Sequence, residues 1–123
     1  MIAEKKECKI IQTDTNTNAF VVEKDNRQIF RISFSNSIIR KFVPITEGFL
    51  LHFQCSSSIK NKFGNVCLVS HDGNILWWAE RKRPDDCYVE LNVINDKIIG
   101  YDGSYNCNID IRTGKVRERD FVK

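Results

Sequence analysis

The chain has 123 residues and a formal net charge of +3, with 41% hydrophobic and 28% charged residues. That length supports one domain with a core of its own, and so mild a basic excess argues against a nucleic-acid-binding protein. No apolar run approaches the roughly 20 residues of a membrane span, and the opening "MIAEKKECK" has no apolar stretch behind its charges, so a cytosolic protein without a secretory signal is expected.

Turn signals divide the sequence into short runs rich in Val, Ile, Phe and Tyr. They are "KDN" at Lys24–Asn26, "DGN" at Asp72–Asn74, "ND" at Asn95–Asp96, "DGS" at Asp102–Ser104 and "TGK" at Thr113–Lys115. Glycine and asparagine accept the positive φ that tight hairpins need. No window shows a helical period with caps, so the chain reads as an all-β meander. Strands are predicted first over 6–13, 19–24 and 28–34, and then over 38–45, 48–55, 65–70 and 75–80. A last group covers 87–94, 97–101, 105–111 and 115–122.

The pattern repeats. "NVCLVSHDGNIL" matches "YNCNIDIRTGKV", which sets Cys67 against Cys107, 40 residues on. A weaker copy, "AFVVEKDNRQIF", sets Asp25 against Asp72, 47 residues on. Periods near 40 to 45 residues with four strands each mark propeller blades. The prediction is a single all-β domain of about three small antiparallel blades, near 6–34, 38–80 and 87–122, stacked as a half β-propeller. A β-sandwich or open barrel is the alternative.

A middle blade is covered on both faces and an outer blade on one. "GFLLHFQC" and "ILWWAE" are apolar on both sides, whereas "IFRISF" and "CYVELNV" alternate. Trp77, with Ile75 and Ala79, is therefore expected to face one neighbouring blade, and Trp78, with Leu76, the other. The charges of the last strand, from Lys115 to Asp120, are expected to protect an open edge from pairing.

Chemistry is sparse. His52, inside "FLLHFQ", reads as a hydrogen-bonded core residue and His71 as exposed. The five cysteines, Cys8, Cys55, Cys67, Cys87 and Cys107, form no CxxC pair. They are expected to be reduced, with no disulfide and no metal. No phosphate loop or nucleophile–base set occurs, so neither an enzyme nor a cofactor is expected. A protein-binding surface is the better expectation. "RKRPDDCY" supplies Arg83, Asp85, Asp86 and Tyr88, the next strand supplies Glu90, and the turn "YDGSY" carries Tyr101 and Tyr105.

From Gly48 to Lys123, "NVCLVSHDGNILWWAE" and "YVELNVINDKIIGYDGSYNCNIDIRTGKVRERDFVK" resemble the small bacterial immunity proteins built as partial β-propellers. The strand, "DG", strand, "TGK" and final "F-V-K" carry the likeness. The resemblance implies a cytoplasmic antidote to a toxin delivered by contact-dependent growth inhibition, with a ribonuclease as the expected toxin. It would bind one to one and cover the toxin's active site or substrate surface. A small non-catalytic binding module, or a half-propeller that pairs with itself, is the alternative. Nuclease toxins are often basic, so acidic contacts on this mildly basic chain would be local, at Asp85, Asp86 and Glu90.

Overall fold

The computed structural model describes residues 6–14, 17–55, 64–81 and 87–122. All regular structure among them is β: β1 Glu7–Asp14, β2 Thr17–Lys24, β3 Arg27–Ser35, β4 Ile39–Ile45, β5 Gly48–Phe53, β6 Val66–Ser70, β7 Ile75–Trp78, β8 Glu90–Ile94, β9 Lys97–Tyr101, β10 Tyr105–Ile109 and β11 Val116–Phe121. They form three antiparallel meanders, β1-β2-β3, β4-β5-β6-β7 and β8-β9-β10-β11, none closed into a barrel. These are the three small stacked blades that the repeats predict. No helix among the described residues is long and apolar enough to cross a membrane.

The hairpins follow from their turn residues. Asp25 and Asn26 both take positive φ, at 52° and 63°, and so do Asn95 and Asp96, at 50° and 62°. Two consecutive left-handed residues twist the chain in the sense the flanking strands require. Lys24 therefore pairs with Arg27, and Ile94 with Lys97.

Two cores flank the middle sheet. Phe20, Val22, Phe30 and Phe34 of the first sheet pack on Phe49, Leu51, Phe53, Cys67 and Val69. On the opposite face, Leu50, Val66, Leu68, Trp77 and Ala79 pack on Leu91, Ile98, Cys107 and Ile109 of the third. β5 is consequently buried at every position, as its two-sided apolar sequence predicts. The first core is aromatic, with Phe20 5.4 Å from both Phe42 and Phe49, and Phe34 4.9 Å from Phe53, centroid to centroid. Tilted and edge-on rings at such distances attract beyond their burial.

The tryptophans divide between these cores. Trp77 lies in the second and Trp78 packs against the first. Trp77 is buried, whereas Trp78 is half-exposed, because β7 is the outer edge of its sheet. The expected companions need correction. A bulge between Leu68 and Val69 pairs Val69 with Ile75, which moves Ile75 off the Trp77 face. Ile75 and Leu76 are both exposed.

The cysteines also depart from expectation. Cys55 and Cys87 form a disulfide, while Cys8, Cys67 and Cys107 are free thiols. Cys55 follows β5 and Cys87 precedes β8, and stacking the second and third sheets brings their Cα atoms to 5.7 Å. That is within bridging distance. The expectation of five reduced thiols is overturned at these two positions. Burial pushes the Cys67 thiol far above its ordinary value, so it stays protonated.

Candidate binding face on the third sheet

The third sheet has one covered face and one open face. Leu91, Ile98, Cys107 and Ile109 point into the core. The alternate residues point outward, and the register places Glu90 opposite Tyr101, Asn92 opposite Ile99, Tyr101 opposite Asn106, and Ile99 opposite Asn108. β11 completes the face, with Asp120 opposite Asn106 and Glu118 opposite Asn108. Ile99 and Tyr101 form a half-buried centre, with amides around them. Three exposed carboxylates, Glu90, Glu118 and Asp120, stand on the two edge strands.

The arginines of β11 do not neutralise that face. Arg119 pairs with Cys107 on the inward side, 3.4 Å from Asp102 Oδ2 and 4.0 Å from the centroid of the Tyr105 ring. Arg117, next to the bulge in β11, lies 3.8 Å from Asp110. The outward positions of the sheet itself thus carry three carboxylates against the ammonium of Lys97, on a chain whose overall charge is +3. Arg40 and Lys41 of the second sheet stand at its β8 edge beside Glu90 and leave Glu118 and Asp120 as its acidic side. Among the described residues none of the three carboxylates is in an ion pair. An acidic patch on a protein of net positive charge steers and orients a basic partner.

The structure sorts the expected contact residues. Glu90 and Tyr101 are direct cross-strand partners on the open face. Tyr105 faces the other way, edge-on to Phe121 at 5.5 Å and beneath Arg119. Arg83, Asp85 and Asp86 lie outside the described residues. Tyr88 is a correction: it is 3% exposed and belongs to the core, so its ring is no surface anchor. Its hydroxyl donates to the Glu80 carbonyl at 2.6 Å, and its ring covers Gly100 so closely that a Cβ there would come within 2.5 Å of it. Its backbone is held by Asn65, whose Oδ1 accepts the Tyr88 N–H at 2.7 Å and whose Nδ2 donates to the Tyr88 carbonyl at 2.9 Å. Glu118 and Asp120, read from the sequence as edge protection, are the members that the sequence reading missed. The signal was their spacing of two in "RERD", which puts both on one side of a strand.

Beside this face, Arg40, Lys41, His52, Glu90 and Asn92 line a polar recess of about 320 Å³ at the seam of the second and third sheets. Arg40 donates to the Val89 carbonyl at 2.6 Å, and Lys41 to that of Leu91, so the two cations cap the free edge of β8. His52 donates from Nε2 to the Tyr88 carbonyl at 2.7 Å, while its Nδ1 is buried without a partner. Neither nitrogen is poised to take a proton from a substrate, and His52 is the hydrogen-bonded core residue its setting in β5 predicts.

The His52 site predicts a pH dependence. Burial pushes the imidazole below its ordinary value and the charges of Arg40 and Lys41 push the same way, against the raising effect of the Tyr88 carbonyl. The folded state therefore binds the proton less readily than the unfolded chain. Its stabilising contribution is complete above the unfolded value near ~6.5 and is lost as the pH falls below it. Thermal unfolding at pH 7 and pH 5 should show a larger drop for the native chain than for His52→Gln. Equal drops would remove His52 from the account.

Residues 10–121 match the model of a family described as a domain of unknown function, DUF7957. No curated protein and no solved structure matches the chain.

Proposed function

The chain belongs to the DUF7957 family, whose description assigns no activity, and we propose that it is a non-catalytic binding protein that neutralises a basic toxin domain. The observation that carries this reading is the open face of the third sheet, with Glu90, Glu118 and Asp120, none in an ion pair among the described residues, around Tyr101 and Ile99. Net positive charge elsewhere on the chain would repel a basic partner, which favours docking on that face. An interface of standard size takes about 800 Å² from each partner, the scale of one sheet face with its surrounding loops.

The resemblance to partial-propeller immunity proteins supplies the biological half of the proposal. The partner is a toxin delivered by contact-dependent growth inhibition, a ribonuclease, and the site of action is the cytoplasm of the protected bacterium. A nuclease needs cationic groups along its substrate path to hold phosphates. Carboxylates laid over that path would occlude it. Protection is then stoichiometric, with a dissociation constant of nanomolar or below, about −12 kcal/mol, because one escaped nuclease turns over many RNAs.

The test needs the toxin domain itself, to be sought in the gene immediately upstream of this protein's own. Residual nuclease activity, titrated against molar ratio, should reach a sharp end point near one to one. The Glu90→Gln, Glu118→Gln, Asp120→Asn triple variant should associate roughly 10- to 100-fold more slowly at low salt, with a flatter salt dependence. Inhibition far below equimolar amounts would mean catalysis on the toxin or its target, and would end the binding mechanism.

A further inference from the structure

The hairpin ends of the second and third sheets leave a groove of about 640 Å³ between them. Its floor is apolar: Ile45, Val93 and Ile111 are half-buried, packed from below against the second core, with exposed Pro44 beside them. Two exposed carboxylates, Glu47 and Asp96, stand in the lining. Among the described residues neither is in an ion pair.

The walls are held in place. The Ile111 carbonyl accepts the indole N–H of Trp77 at 2.9 Å, and the Thr46 carbonyl lies 2.9 Å from His71 Nε2. The backbone of Asp96 takes the left-handed conformation of its two-residue turn, at φ 62°. A groove whose backbone walls are formed in advance costs less ordering when filled.

We propose that this groove receives an arginine side chain from a basic protein partner. A wholly apolar occupant would desolvate two carboxylates without replacing their hydrogen bonds, which is unfavourable. A small cation would leave the apolar floor wet. An arginine satisfies both parts: its aliphatic stem lies along Ile45, Val93 and Ile111, and its guanidinium meets Glu47 and Asp96. The guanidinium is weakly hydrated, planar and always charged, which suits a partly apolar site better than an ammonium does. Arginine is also prominent among the few interface residues that dominate binding. The inference rests on the preceding section for the identity of the partner, but the groove itself is open to a separate test.

That test is a nuclear magnetic resonance titration of the full chain with Nα-acetyl-arginine amide, and in parallel with Nα-acetyl-citrulline amide, which has the same stem and no charge. The arginine compound should shift the amides of Thr46, Val93, Asp96 and Ile111 and saturate in the millimolar range. The citrulline compound should bind at least fivefold more weakly. Glu47→Gln with Asp96→Asn should abolish that difference, and asparagine keeps the left-handed turn accessible, so the fold is retained. Glu118→Gln with Asp120→Asn should change nothing. Equal responses to the two compounds, or shifts that miss the groove, would overturn the proposal. If the groove fails while the toxin titration still ends at one to one, the acidic-face reading stands alone.

Discussion

Replacing Trp77 by alanine should lower the stability of this protein by about 3–5 kcal/mol, the range for truncating a large buried aromatic. Trp77 sits in the second core, its indole N–H donates to the Ile111 carbonyl at 2.9 Å, and its ring lies against Gly114 in the turn before β11. Truncation therefore opens a cavity and also takes the donor from a half-buried carbonyl. Gly114 reports the same contact from the other side: at φ 75° with the Trp77 ring 2.5 Å from a would-be Cβ, even alanine does not fit. Trp78→Ala should cost distinctly less, because that ring is half-exposed at the edge of the middle sheet. With total stabilities of roughly 5–15 kcal/mol typical, Trp77→Ala should bring the chain close to unfolding. Urea denaturation of both variants checks this, and equal losses would contradict the assignment of the two rings to different environments.

Reducing the Cys55–Cys87 disulfide should cost about 3–4 kcal/mol. The bridge closes a loop of sequence separation 32, and the loss scales with the chain entropy such a loop regains on unfolding. For a chain of this size the melting temperature should fall by on the order of 10 °C. A Cys55→Ser, Cys87→Ser variant should melt like the reduced protein and ignore dithiothreitol. Identical melting with and without dithiothreitol would contradict the bridge. The result also bears on compartment, since disulfides persist in oxidising surroundings and thiols in the cytoplasm. A cytoplasmic antidote would work with this pair open, its second and third sheets still joined by the two Asn65 hydrogen bonds to Tyr88 and by that of His52.

The elements that sequence reasoning located are those written in local chemistry. Asp25-Asn26 and Asn95-Asp96 announce their hairpins because few other residues accept two positive φ angles in succession. The middle sheet announced itself through "GFLLHF", since a strand covered on both faces is apolar on both sides, with His52 as its one polar residue. What escaped depends on contacts distant in sequence. Cys55 and Cys87 look like isolated thiols until two sheets stack. Tyr88 looked like a loop aromatic, yet Gly100, twelve residues further on, provides the glycine-sized seat that takes its ring into the core. Ile75 changed sides because a bulge leaves no mark in an apolar run. The acidic face was half legible: Glu90 and Tyr101 were picked out, but their partnership with Glu118 and Asp120 exists only through the order of four strands.

The central claim is that the partner covers the open face of the third sheet. Hydroxyl-radical footprinting of the protein alone and in complex with its toxin domain tests it most directly, because exposed side chains report each surface separately. Tyr101 and Ile94 mark the acidic face, Leu76 the edge of the middle sheet, and Ile29 the first sheet. Oxidation of Tyr101 and Ile94 should fall several-fold in the complex while Leu76 and Ile29 react as before. Protection of Ile29 or Leu76 with Tyr101 and Ile94 unchanged would place the partner elsewhere and contradict the account.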